Sequence, residues 1–190
     1  MTVVIGVVGT IASGKDVFAD LVAARLAAVR FSFSQAIDKE LKARKIAVSR
    51  PTQRQLANDL RALEGPGVWA KRIVEEMAFA EGYAVVEGFR NPLEVKEFYA
   101  TFGKRFILVA VDAKVSTRFE RAKARAKPGD YKTFEEFKEV DAKERGKGET
   151  FYGHNIDGCI ALADYAVINN GSLDDLKRQA DLVVEKARKL

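Results

Sequence analysis

Apolar residues run along this chain in two alternating rhythms. Unbroken runs at residues 3–8, 83–86 and 106–111 have the pattern of parallel strands buried on both faces, and residues 164–168 are strand-like behind Asp164. Between them apolar residues recur at helical spacing. Phe18, Leu21, Val22, Leu26 and Val29 predict a helix behind the first strand, and Leu56, Leu60 and Leu63 share one face of a helix opened by Pro51. Gly65, Pro66 and Gly67 break that helix, and Trp69, Ile73 and Met77 begin another. Residues 31–33 predict a second short strand and residues 35–45 a polar helix. Pro92 opens the helix behind residues 83–86. Ser172, with Asp175 three residues on, caps a terminal helix carrying Leu173, Leu176, Ala180, Val183, Val184 and Ala187. Residues 113–150 are charged and interrupted, with Lys127, Pro128, Gly129 and Asp130 as a turn between two helical stretches.

Strands alternating with helices imply right-handed crossovers between parallel strands, hence a three-layer α/β/α sandwich with a sheet of about five strands. With 190 residues, 47% of them hydrophobic, the chain is long enough for one well-buried core and too short for two ordinary domains with a linker. A net charge of +5 suits polyanionic ligands but is too small and too interspersed for a nucleic-acid surface. No run reaches the length of about 20 apolar residues that a bilayer span requires. Met1 leads straight into the first apolar run, without a charged leader, and Cys159 stands alone, so the expectation is a cytoplasmic chain with no intrachain disulfide. His154 is the only histidine, which excludes a multi-histidine metal site within one chain. It reads as a surface residue without an evident base or metal partner.

The chemistry begins at "GVVGTIASGKD", residues 6–16. Gly9 and Gly14, five apart, followed by Lys15, form a loop between a buried strand and a helix, the spacing with which backbone N–H groups wrap a phosphate. Ile11, Ala12, Ser13, Gly14, Lys15, Asp16 and Val17 line it, and Lys15 can reach the β and γ phosphates of a nucleoside triphosphate. Asp16 stands where such loops carry a Ser or Thr that ligates magnesium. Its carboxylate is a hard oxygen donor that could take the same ion; it is equally readable as a solvated first-turn acid on the helix dipole.

"GTIASGKD" resembles the loops of phage deoxynucleoside monophosphate kinases and animal phosphomevalonate kinases. "VVEGFRNPLEVKEF" and "ADYAVINNGSLDDLKRQ" are similar to the corresponding segments of adenylate-kinase-like and dephospho-CoA-kinase-like proteins. The chain therefore resembles the P-loop nucleotide kinase superfamily from residue 4 to about 180. That resemblance implies a core of residues 1–33, 82–112 and 156–190, a substrate-binding insertion at 34–81 and a lid at 113–155. It implies ATP and Mg2+ as cofactors and small-molecule nucleotides as partners, with neither nucleic acid nor membrane, in a monomer or homodimer.

Phosphoryl transfer needs charge neutralisation and in-line positioning more than covalent chemistry. Arg118, Arg121 and Arg125 share one helix face, in a stretch, 114–127, with six basic residues and one acid. They resemble lid arginines that close on the transferring group, the alternative being a solvated basic face. Glu87 lies at the carboxyl end of the third strand, where α/β enzymes bind ligands, and could hold a magnesium-bound water or orient the acceptor. Arg90 could grip an acceptor phosphate with its planar fork, or form a salt bridge with Glu87. Ser34, Arg50, Asn58 and Arg61 are further acceptor candidates, whereas Trp69 and the leucine stripe read as core. Gly171, after Asn169 and Asn170, falls where related kinases contact adenine through backbone.

The expected reaction is ATP- and Mg2+-dependent transfer to a nucleoside or deoxynucleoside monophosphate. Dephospho-CoA kinase is the alternative, although "FSFSQAIDKE" has Ser34 first and Asp38 only a helical turn later, where those kinases place an acid close behind the second strand. A third possibility is an ATP-binding regulator or slow ATPase of the same fold.

Overall fold

In the computed structural model, which describes residues 1–125 and 131–190, five strands form one parallel sheet in the order β2-β3-β1-β4-β5. They are β1 (Thr2–Gly9), β2 (Val29–Ser32), β3 (Gly82–Glu87), β4 (Phe106–Asp112) and β5 (Tyr165–Ile168). The helices are α1 (Lys15–Leu26), α2 (Phe33–Ala43), α3 (Arg50–Glu64), α4 (Val68–Glu76), α5 (Pro92–Phe102), α6 (Val115–Arg125), α7 (Phe134–Arg145), α8 (Ile156–Ile160) and α9 (Leu173–Ala187). The turn expected at 127–130 lies outside the described residues.

β1 is central because both its faces are apolar. Val4 and Val8 point into one core with Phe33, Trp69, Phe89, Phe98 and Phe106, while Ile5 and Val7 point into the other with Phe18, Val22, Leu176 and Val183. Gly6 on the first face leaves the space that the Phe106 ring and Leu108 fill, since a Cβ there would come within 2.9 Å of both. Each fully buried large apolar side chain stabilises the fold by about 1.5–3 kcal/mol. The register sets Val7 beside Glu87 and Gly9 beside Val111, so the carboxyl ends of β1, β3 and β4 open on the same edge. That edge, where the crossovers change direction, is where ligands bind in such sheets.

Local signals set the helix starts. Ser49 and Thr52, Asn91 and Glu94, and Ser172 and Asp175 form reciprocal capping boxes for α3, α5 and α9. Three expectations need correction. Val29 belongs to β2 rather than to the first helix, because Ala27 adopts a left-handed conformation (φ 49°) that ends α1. α2 begins at Phe33, two residues early, since burying that ring against Phe89, with centroids 4.8 Å apart, outweighs its strand preference. Leu56 and Leu60 are core, but Leu63 is 80% exposed, beyond the reach of the sheet. Leu173 is likewise exposed at the start of α9. Among the described residues no helix is long and apolar enough to cross a membrane.

Candidate active site

Between Gly9 and Lys15 the chain turns through two left-handed residues, Ala12 (φ 57°) and Gly14 (φ 92°). Such a turn aims consecutive N–H groups into one concavity. No side chain caps α1, so the N–H groups of its first turn stay open to an anion. Both glycines are required sterically: a Cβ on Gly9 would overlap the Val111 carbonyl oxygen, and one on Gly14 would overlap the Asn169 amide. The Ser13 hydroxyl is buried with no hydrogen-bond partner among the described residues, the condition of a group kept for a bound ligand.

The loop's carbonyls are held on the opposite side. Asn169 Nδ2 donates to Ser13 O at 2.8 Å, and Arg121 lies 3.4 Å from both Ser13 O and Asn169 Oδ1. Arg118 donates to Ile11 O at 3.2 Å, and the Thr10 hydroxyl to Asp112 at 2.6 Å. Burial acts to raise the Asp112 carboxyl, but bonds from Thr10 and the Ala113 N–H, with the Arg145 charge, hold it below the usual range. With its carbonyls tied outward, the loop presents its donors inward.

Arg118 is fully buried, and its fork grips Asp141 at 2.5 and 2.8 Å while Nε donates to Ala113 O. Arg145 extends the network to Asp141, Asp112 and Asp157. Arg118 thus fastens α7 to the loop rather than standing free over it; Arg121 reaches the loop, and Arg125 is exposed on the last turn of α6.

Asp16 and Glu87, from α1 and β3, share a side-chain hydrogen bond, with Lys15 Nζ 3.2 Å from Asp16 and Arg30 3.4 Å from Glu87. Burial and then the Asp16 charge push the Glu87 carboxyl up. Burial also acts to raise Asp16, but Lys15, the Glu87 bond and Arg30 outweigh it and lower the carboxyl. Two neighbouring carboxyl groups beside a phosphate loop, one eased and one resisting ionisation, are an oxygen pair suited to a divalent cation.

Beyond β3 the side chains form a second cluster. Arg90 pairs with Glu144 of α7, not with Glu87, and Arg54 of α3 pairs with Glu149. His154 corrects the surface reading: it is buried, and its Nδ1 is 3.0 Å from Glu144. Burial acts to raise Glu144, but Arg90, His154 and Arg54 together hold it down to about 2. Arg61 is turned away from this cluster, fully buried on Glu94 at 2.7 and 3.0 Å, with Asn58 as its third partner at 3.1 Å. Ser34 and Arg50 are exposed at the starts of α2 and α3, Val17 is exposed on α1, and Gly171 is exposed after β5.

The strand order, the loop geometry and the cation-rich edge define the P-loop kinase fold. The shikimate kinase of Acinetobacter baumannii superposes with a TM-score of 0.57 at 12% identity, covering all of this chain and 94% of its own. The gluconokinase of Sinorhizobium meliloti gives 0.58 at 14%, over 96% and 91%. By sequence the chain belongs to the UPF0200 family. It is 32% identical to the UPF0200 protein of Pyrococcus horikoshii over 159 residues, 82% of each chain. It is also 32% identical over 190 residues to a UPF0200/UPF0201 protein of Archaeoglobus fulgidus, 98% of this chain but only 54% of that longer one. No family model matches.

Four contributors escaped the sequence reading. In the sequence Asn169 stands out only as a neighbour of the expected adenine contact, and Asp112 falls just past the apolar run 106–111 with nothing to mark it. Arg54 lies between Arg50 and Asn58 at i+4 spacing on the same helix face, a signal that could have singled it out. Glu144 sits in a charged helix where no local pattern separates it from its neighbours.

Proposed function

We propose that this chain transfers the γ-phosphoryl group of ATP to a small phosphorylated acceptor, a nucleoside or deoxynucleoside monophosphate, with Mg2+ as cofactor. The observation that carries the proposal is the open phosphate loop, with Lys15 beside the Asp16–Glu87 pair, facing an edge that bears Arg90 and Arg54. The loop N–H groups, the Ser13 hydroxyl and Lys15 hold the triphosphate, and the Gly171 backbone lies toward the base. Asp16 and Glu87 would hold Mg2+ through their carboxylate oxygens. Bound there, the ion would supply charge neutralisation for the transferring group. Arg121 and Arg125 provide cations from the lid, residues 113–155, and Arg118 positions them through Asp141. Arg90, Ser34, Arg50 and Asn58 face the acceptor, held by the 34–81 insertion. Arg61 acts indirectly, by locking α3 to α5 through Glu94.

A monophosphate oxygen is already ionised near neutral pH and needs no strong base. The raised Glu87 carboxyl favours a second reading, in which it accepts the proton of a hydroxyl acceptor such as that of dephospho-CoA. Asp38, the other acid near that edge, is engaged by Gln53 at 2.6 Å. One coupled assay of ATP and Mg2+ against nucleoside monophosphates, dephospho-CoA and phosphomevalonate tests the proposal. Equimolar conversion of ATP and a monophosphate to two diphosphates supports it; turnover with dephospho-CoA alone favours the hydroxyl reading. Phosphate release indifferent to every acceptor points to a regulator or slow ATPase.

A further inference from the structure

Four of the arginine–carboxylate pairs flanking the site form two contrasting sets. Arg61 and Arg118 have no solvent access, whereas the side chains of Arg54 and Arg90 are 33% and 27% exposed. The carboxylates that hold Arg54 and Arg90 come from one short stretch, Glu144 at the end of α7 and Glu149 in the turn that follows it. Arg90 is pinned through its backbone: its N–H donates to Glu94 at 2.8 Å and its carbonyl accepts from the Asn155 N–H at 2.7 Å. Its guanidinium, by contrast, is fixed by Glu144 alone among the described contacts. Two cations, one on α3 and one in the pinned turn before α5, thus face two anions on one excursion of the chain.

From this arrangement we infer that Arg54 and Arg90 form a single clamp for the anionic group of the acceptor, and that Glu144 and Glu149 occupy it as internal stand-ins until the acceptor arrives. The inference rests on the reading of the chain as a phosphoryl transferase with a phosphorylated acceptor, and names the residues that select it. Two carboxylates carry the charge of one phosphomonoester dianion, and a guanidinium fork takes either with the same parallel hydrogen bonds. The exchange therefore leaves the clamp's charge balanced. The two guanidiniums beside Glu144, Arg90 and Arg54, would stabilise a bound dianion equally. Pairs whose arginines keep 33% and 27% of their exposure are open to a competing anion from solvent, unlike the sealed ones. Expulsion of Glu144 and Glu149 would release the stretch between α7 and α8, so the site opens only for an acceptor charged enough to displace both. Neutral acceptors are rejected because they leave the plug in place.

The probe is inorganic phosphate, titrated calorimetrically in a Lys15→Ala background, which removes the lysine of the phosphate loop from the measurement. Glu144→Gln/Glu149→Gln keeps the shape of both side chains and removes the competing charges. Phosphate affinity is expected to rise roughly tenfold or more, and Arg54→Gln in the same chain to abolish the gain. Unchanged or weaker affinity in the double glutamine chain, or a gain that survives Arg54→Gln, overturns the inference. Should the double variant fail to fold, Arg54→Gln alone must weaken phosphate binding several-fold, and no weakening counts against the clamp. Because these titrations involve no turnover, a chain that never transfers a phosphoryl group can still support the clamp. An active kinase with phosphate binding indifferent to Arg54 contradicts the clamp alone.

Discussion

Two regions of the molecule use the same chemistry to opposite ends. At Arg61–Glu94 and Arg118–Asp141, arginine and carboxylate are sealed from water and every guanidinium nitrogen has an acceptor. At Arg54–Glu149 and Arg90–Glu144 the arginines remain accessible and each has one carboxylate partner among the described contacts. Removing one member of a buried pair strands an uncompensated charge, whereas an accessible pair can be replaced by water or by a ligand. The first two arginines are therefore architecture, holding α3 to α5 and α7 to the phosphate loop, and the second two keep the solvent access that the proposed clamp requires.

The largest expected effect is at the buried pairs. Arg61→Ala leaves Glu94 unpaired at full burial and should cost about 3–5 kcal/mol, a fall of roughly 10 °C in the thermal midpoint read by calorimetry. A fall as small as that of a surface mutation would end the distinction between the two kinds of pair.

Next comes acid. Glu144 has a folded pKa lowered to about 2. A depressed carboxylate stabilises the fold above its unfolded value of 4.5 and loses that contribution as the pH falls toward 2. The term is at most roughly 3 kcal/mol. Wild type should therefore lose stability between pH 5 and 2.5 faster than Glu144→Gln, as read from urea midpoints across that range. Parallel curves would mean that Arg90 and His154 do not hold this carboxylate.

A smaller effect is expected at the carboxylate pair. Asp16→Ser removes a negative charge that repels ATP when Mg2+ is absent, so the difference between ATP affinities with and without Mg2+ should shrink on the order of tenfold. An unchanged magnesium requirement in equilibrium binding would leave Asp16 as a solvated first-turn acid. The smallest effect belongs to Arg54→Gln, which should change thermal stability by less than about 1 kcal/mol, in contrast with Arg61→Ala on the next turns of the same helix.

What could be read in the sequence follows from how far apart the cooperating residues lie. The strands, the cap at Ser172, the helix start at Pro92, and the loop from Gly9 to Asp16 are written locally, because buried strands need unbroken apolar runs and the loop needs its glycines at fixed spacing. Phe33 starts a helix and Leu63 lies exposed, against their local patterns, because both depend on what the core covers and not on their own neighbours. The arginines illustrate the limit most clearly. Arg61 and Arg90 carry equal promise as residue types, but their partners, 33 and 54 positions away, decide that one is locked and the other accessible. No periodicity encodes such pairings. Nor does the helical spacing of Arg118 and Arg121 reveal that both turn toward loop carbonyls.

Phosphoryl transfer itself is tested most directly by following the label of γ-labelled ATP with Mg2+ and a panel of nucleoside monophosphates. The label is expected on a nucleoside diphosphate, in amounts equal to the ADP formed, and Lys15→Ala should reduce that transfer by about 100-fold or more. Label recovered only as inorganic phosphate, at a rate no monophosphate changes, would contradict the account.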